Sequence, residues 1–316
     1  MMRHGRVVVT GAAGFIGYHL ARRLLDDGLE VVGIDNRLTG SEANARDLAA
    51  HPKYTDLAAD ICETVDVEGP IDCLYNLACP ASPADFKDHA LAIMLTCSQG
   101  VRNMLELARR KNAVFLQAST SECYGDPDAA HHPQREDYRG NVNPIGPRAP
   151  YDEGKRFAEA LTMTYHRSYG LSTRLGRIFN TYGPRMRAND GRVLPNFISQ
   201  ALSGERLTIY GDGSQTRSFC YVDDLVEGLI ALAASDYRLP VNLGNESEVT
   251  IGQVAEEIIE LCGSSSRIEY RPMPADDPRR RKPDISLARR MLNWEPRTER
   301  RVGFARTIEF FKDQRG

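Results

Sequence analysis

Two residues one helical turn apart carry the sharpest chemical signal in the chain: Tyr151 and Lys155, within Tyr151-Asp152-Glu153-Gly154-Lys155. On a helix this spacing puts a phenol and an ammonium on one face. The ammonium stabilises phenolate and is expected to draw the tyrosine pKa down from about 10 towards working pH. Such a phenolate takes a hydroxyl proton while the hydride of the same carbon leaves for a nicotinamide. The pair is a cheap signal alone, and an upstream segment supplies its complement. Gly11-Ala12-Ala13-Gly14-Phe15-Ile16-Gly17 lies between the apolar run Arg6 to Thr10 and a helical pattern that begins at Phe15. The first glycine permits a tight turn, the second lets backbone amides approach a pyrophosphate, and the third lets helix and strand pack closely. The helix N-terminus adds partial positive charge and free N–H donors. Asp35 ends the next apolar run, where a carboxylate accepts from both ribose hydroxyls of an adenosine and repels a 2′-phosphate. NAD is therefore favoured over NADP. Arg37 is a mild counter-signal, because a guanidinium could hold that phosphate.

These residues need a frame that sets them side by side. Arg6 to Thr10 and Glu30 to Asp35 are β-branched runs without alternation, the pattern of strands buried on both faces of a parallel sheet. Ile71 to Leu77, Ala113 to Ser119 and Ser172 to Phe179 read as further strands. Phe15 to Asp27, Leu91 to Lys111 and Pro150 to Tyr169 read as helices. The alternation predicts an α/β fold, a Rossmann-like doubly wound parallel sheet. Beyond residue 180 the texture changes, with turn-rich stretches at 181–217 and 264–284. Val222 to Ala234 reads as a helix and Pro240 to Leu243 as a strand. We expect residues 1–180 to form the nucleotide-binding domain, with 219–245 folding back onto it. Residues 181–218 and 246–316 are expected to form a smaller interleaved C-terminal substrate lobe.

Composition narrows the function classes. Of 316 residues, 41% are hydrophobic and 26% charged, the balance of a soluble globular protein. No apolar run approaches the roughly 20 residues of a membrane-spanning helix. The opening residues lack a signal-peptide layout, so a cytoplasmic location is expected. Seven cysteines without a Cys-x-x-Cys pair argue for reduced thiols, against a disulfide frame and against a zinc or other metal site. A net charge of −3 gives nucleic-acid binding no support, so an anionic ligand needs a local cationic site. The short basic run Arg279 to Lys282 is, by itself, most simply a solvated face.

The Gly-x-x-Gly-x-x-Gly spacing with Tyr-x-x-x-Lys resembles the extended short-chain dehydrogenase/reductase superfamily. Longer strings resemble its UDP-glucuronate decarboxylase (UDP-xylose synthase) family: Cys79-Pro80-Ala81-Ser82-Pro83, Ser119 to Pro127, Asn143 to Lys155, Arg177 to Met186, Asn189 to Phe197, Gly211 to Arg217 and Asp276 to Ile285. The resemblance implies NAD contacts from Gly11, Gly14, Phe15, Ile16, Gly17, Asp35, Asn36 and Thr39. It places Asp60 and Ile61 beside the adenine, and Leu77, Ala78, Ser119, Tyr151 and Lys155 around the rest of the cofactor. Thr120 would hydrogen-bond the reacting sugar oxygen, although a hydroxyl-rich strand exit can also cap its own backbone. Glu122 would face the substrate carboxylate, raise one pKa of that pair, and organise a proton or water for C5. Arg281 would meet the substrate's carboxylate or diphosphate with a planar fork. Ser82, Asn180, Arg192, Val193, Gln215 and Arg217 would hold the UDP-sugar, and Tyr210 would pack near the uracil.

The implied reaction is oxidation at C4, loss of CO2 from the resulting β-keto acid, and re-reduction to UDP-xylose with the cofactor recycled. Glu122 also discriminates among relatives. Sugar 4,6-dehydratases resemble Thr-Asp-Glu here and 4-epimerases lack the acid, whereas this chain has Thr120-Ser121-Glu122. Related outcomes stay open: a 4-epimerase, a decarboxylase releasing the 4-keto pentose, a branched-chain pentose synthase, or a non-catalytic NAD-binding regulator. One departure is visible. The relatives' Thr-Asn-x-x-Gly is here Thr96-Cys97-Ser98-Gln99-Gly100, which removes an asparagine amide. The helices Leu91 to Lys111 and Pro150 to Tyr169 resemble those of the superfamily's four-helix interface, so a homodimer is expected.

Overall fold

The computed structural model describes residues 4–272 and 280–315. Seven strands form one parallel sheet: β1 (Arg6–Thr10), β2 (Glu30–Ile34), β3 (Tyr54–Leu57), β4 (Cys73–Asn76), β5 (Val114–Thr120), β6 (Thr173–Ile178) and β7 (Pro240–Leu243). Their spatial order is β7-β6-β5-β4-β1-β2-β3. The lack of alternation in β1 has a direct cause, because Val7 and Val9 feed one core and Val8 the other. Helices Phe15–Asp26 and Val222–Ala234 contribute Leu20, Leu24, Leu225 and Leu229 to the first core. Helices Val101–Lys111 and Ala149–Tyr169 cover the other face through Met104, Leu105, Ala158 and Tyr165. Both faces are therefore wrapped, as the strand–helix alternation requires. The chain runs from β1 through β2 to β3 on one side and then crosses back to β4 on the other side of β1. In such a sheet, ligands bind at this reversal, beyond the strands' carboxyl ends.

Two expected features differ. The helix expected over Leu91 to Lys111 is interrupted: Ala90–Leu95 and Val101–Lys111 are α-helical, and Thr96–Gly100 forms a wider π-turn between them. The stretch 181–217, expected to be turn-rich, contains a helix over Val193–Leu202 that buries Leu194, Phe197, Ile198 and Ala201. Pro195 obscured it. In the first helical turn a proline is tolerated because the amide it lacks would have had no intrahelical partner. Beyond β6, Thr216–Ser218 pairs antiparallel with Glu248–Thr250 and parallel with Arg280–Arg281. Residues 276–279 of the Asp276 to Ile285 string, including Arg279 of the basic run, lie outside the described residues. Among the described residues no helix is long and apolar enough to cross a membrane.

Candidate active site

One cavity of about 500 Å³ runs from the glycine turn at the end of β1 to the Arg217 and Arg281 strands. At the β1 end, Gly11 has φ of +70°, which favours glycine, and a Cβ on Gly17 would lie 2.0 Å from the Gly11 carbonyl oxygen. Gly14 caps the following helix without a side chain to meet its first amides, and Gly11, Gly14, Phe15, Ile16 and Gly17 all line the cavity. The Asp35 carboxylate accepts from the amides of Ala13 (2.9 Å) and Arg37 (2.7 Å). Burial pushes its pKa up, against these two amides. An open turn, an uncapped helix end and a carboxylate closing β2 fit a dinucleotide. The Arg37 guanidinium is engaged by Asp56 and lies 3.5 Å from Glu42, so the counter-signal from Arg37 is already occupied.

Thr39, Leu77 and Ser119 line the same cavity, whereas Asp35, Asn36, Asp60, Ile61 and Ala78 stand outside its lining. Asn36 donates to Asp60 (2.8 Å), which also accepts from the Cys62 amide. Ile61 is buried in the second core, and a Cβ on Gly100 would come within 2.8 Å of it. The Ile61 side chain packs inward beneath Gly100 of the π-turn, so a contact with an adenine there would come from its backbone. The Ser119 hydroxyl donates to Glu159 (2.6 Å), which Arg177 grips at 2.8 Å through two nitrogens.

The strand exit of β5 and the start of helix Ala149–Tyr169 deliver the catalytic candidates to one wall. The Lys155 Nζ lies 5.8 Å from the Tyr151 ring centroid and donates to the Ala118 carbonyl (2.9 Å). The Phe86 ring stacks on Tyr151 with centroids 4.8 Å apart. The expected lowering of the phenol pKa is not what this environment gives. Burial raises it well above its ordinary value, while Lys155 and a hydrogen bond with Thr120 pull it back. Desolvation of phenolate outweighs one ammonium when the whole ring is buried. The Thr120 hydroxyl also accepts from the Glu122 amide at 3.2 Å, so its capping role is real alongside its place on the cavity wall.

Glu122 stands among arginines before any substrate carboxylate is present. Its carboxylate accepts from Arg281 through Nη1 (2.5 Å) and Nη2 (3.0 Å), and from Arg148 Nη2 (2.6 Å). Burial opposes its charge, but Arg281 and then Arg148 hold its carboxyl below the usual range. Glu122 is therefore an ion-paired carboxylate, and Arg281 is bonded to it rather than standing apart. The parallel register sets Arg281 opposite Arg217. The guanidiniums of Arg281, Arg148 and Arg217 thus all act on one carboxylate.

Ser82, Asn180, Arg192, Val193, Tyr210, Gln215, Arg217 and Arg281 all line this cavity. Arg192 is gripped by Asp190 (2.7 Å to one oxygen), and the Ser82 hydroxyl donates to the Asp190 carbonyl. Gln215 donates to the Tyr210 carbonyl at 2.5 Å. Arg148, Phe86, Cys79 and Arg187 also line the wall and were not singled out from sequence as site residues. Arg148 had a signal, since it precedes the helix that starts Tyr151-x-x-x-Lys155. Phe86 had none, because its contact with Tyr151 spans distant segments.

This fold and cavity define a class. Residues 7–244 match the NAD dependent epimerase/dehydratase family, and the chain belongs to it. Within that class, it is 50% identical over 309 residues to UDP-glucuronic acid decarboxylase 1 of Arabidopsis thaliana, covering 98% of this chain and 70% of that relative. UDP-glucuronic acid decarboxylase 1 of Danio rerio is 49% identical, over 97% of this chain and 72% of the relative. Among solved structures, UDP-glucose 4-epimerase of Thermotoga maritima with UDP-glucose superposes with a TM-score of 0.90 at 26% identity, covering 98% and 100% of the two chains. UDP-glucuronic acid 4-epimerase of Bacillus cereus, complexed with UDP-glucuronic acid and NAD, gives 0.85 at 27% identity, covering 98% and 99%.

Proposed function

We propose that this chain is an NAD-dependent enzyme converting UDP-glucuronate to UDP-xylose and CO2. The observation that carries it is the convergence of Tyr151, Lys155 and the Glu122–Arg281 pair on one cavity wall, in a chain half identical to decarboxylases. The glycine turn, the helix end at Gly14 and Asp35 would hold NAD, with Lys155 and Tyr151 near its reactive end. Bound there, NAD supplies reversible two-electron oxidation of the sugar's C4 carbinol. Tyr151 takes the C4 hydroxyl proton, helped by the Lys155 charge. A ketone at C4 stands β to the C6 carboxylate, so the electrons freed by CO2 loss have an oxygen to settle on. Thr120 and Tyr151 donate to that enolate oxygen. Arg281 orients the carboxylate, since its grip on Glu122 engages two of a guanidinium's five N–H donors.

We assign 181–218 and 246–316 to a nucleotide-sugar-binding lobe, with Arg192 and Arg217 on the diphosphate and Tyr210 near the uracil. The working location is cytoplasmic and the assembly a homodimer. Exposed Leu91, Met94 and Leu95 on one helix and Phe157 on another supply apolar surface for that contact, and light scattering reads it. Incubation with UDP-glucuronate followed by proton NMR tests the activity. UDP-xylose with no build-up of reduced cofactor is expected. Formation of UDP-galacturonate with the carboxylate retained would overturn it in favour of 4-epimerisation.

A further inference from the structure

Cys79 Sγ lies 3.7 Å from Cys97 Sγ, although the two residues are 18 apart in sequence. Cys79 follows β4 and lines the active-site cavity, half-buried, whereas Cys97 is buried in the π-turn. Cys97 packs closely on the catalytic helix, since a Cβ on Gly154 would fall 3.3 Å from its sulfur. Both thiols join Phe86, Ile93 and Tyr151 in one small apolar cluster. Cys97 stands where the resembling family has asparagine, so the facing thiol is a feature of this chain.

The two sulfurs are unequal. The hydrogen bond shared with Cys97, against burial and with help from Lys155, draws the Cys79 thiol below its ordinary pKa. The same contact together with burial pushes the Cys97 thiol up. Burial pushes up the thiols of Cys62, Cys73, Cys123, Cys220 and Cys262. A cavity-lining thiol drawn down in pKa, with a second thiol 3.7 Å away, is the arrangement of an attacking and a resolving cysteine.

We propose that Cys79 and Cys97 form a peroxide-sensitive dithiol that closes to an intramolecular disulfide in the active-site wall and slows turnover. Cys79 thiolate attacks one peroxide oxygen, the O–O bond breaks, and Cys79 becomes a sulfenic acid as hydroxide leaves. Cys97 sulfur then attacks Cys79 sulfur. Its proton and the departing hydroxyl leave as water, so two thiols are oxidised and one peroxide is reduced to two waters. The new bond ties the exit of β4 to the π-turn and shifts the small apolar cluster in which Tyr151 sits.

The loss of turnover rests on the active site proposed above, whereas the bridge is read independently by mass. The reduced protein with NAD bound is exposed to hydrogen peroxide, alkylated and mapped by peptide mass spectrometry. The expected result is a linked Cys79–Cys97 peptide lacking two hydrogens, with UDP-glucuronate turnover down by about tenfold and restored by dithiothreitol. Cys97→Ser, treated alike, retains full turnover before exposure, gives no bridge, and carries added oxygen on Cys79. Finding both cysteines alkylated after peroxide, or a bridge with unchanged turnover, would overturn the proposal.

Discussion

Arg281 and Glu122, 159 residues apart, form a two-pronged ion pair with N···O distances of 2.5 and 3.0 Å in the cavity that holds Tyr151. Arg148 completes the clamp from the start of helix Ala149–Tyr169. The glutamate and the arginine therefore act as one unit, and a change to either alters the charge of the other. Arg281→Ala leaves Glu122 with less compensation and removes the fork that orients a carboxylate. Decarboxylation should fall by roughly a hundredfold while NAD affinity stays within about twofold. Arg281→Lys keeps the charge but not the fork, so it should recover only part of the loss. Product release rates and NAD titration calorimetry on the same samples separate the two effects.

In the proposed role of base Tyr151 must lose a proton, and burial holds that proton on. Turnover should therefore rise with pH along its acidic limb. Lys155 is the principal charge that lowers the phenol pKa, so Lys155→Met should move that limb to higher pH. Tyr151→Phe should cut turnover by roughly a thousandfold with little loss of stability, because the ring keeps its stacking on Phe86. Profiles of log kcat against pH check both. A limb that stays in place in Lys155→Met would remove the lysine from the proton step.

Cofactor choice turns on Asp35 and on what occupies Arg37. Asp35→Ala should weaken NAD binding by about a hundredfold, the scale of two lost hydrogen bonds to a charged group at roughly 1.5 kcal/mol each. It should not improve NADP binding much, because the Arg37 guanidinium is held by Asp56. Only Asp35→Ala combined with Asp56→Ala should bring a marked gain for NADP. Calorimetric titration of both dinucleotides reads the difference.

Asp152 gives a stability signature separate from catalysis. Burial and the neighbouring Glu122 push its carboxyl from 3.8 up to about 7, against Arg148 and Arg281. Between those values the folded chain keeps a proton that the unfolded chain has released, so stability falls as pH rises through this window. One buried carboxylate oxygen also lacks a hydrogen-bond partner. Asp152→Asn should raise the melting temperature by about 2 to 4 °C at pH 8 and by less at pH 5. Scanning calorimetry at both values tests the sign.

The sheet was legible because its strands are buried on both faces, which forces the β-branched runs seen in β1 and β2. The nucleotide turn was legible because its glycines answer a local need, as the 2.0 Å approach at Gly17 demonstrates. The Glu122–Arg281 bond was not, although both residues were singled out. Their pairing depends on the register that sets Arg281 against Arg217, and no local spacing encodes that. The direction of the Tyr151 pKa was missed for a related reason: spacing reveals the lysine but not how much water the fold removes. The π-turn at Thr96–Gly100 escaped a periodicity that distinguishes poorly between helical turns of slightly different width.

The account stands on an oxidation at C4 that is reversed within the same site. UDP-glucuronate carrying deuterium at C4, turned over to completion and read by NMR, tests this most directly. The account predicts UDP-xylose with the deuterium back on C4. Deuterium lost to water, or UDP-xylose formed with no deuterium found on the bound nicotinamide at any point of a single-turnover quench series, would contradict it.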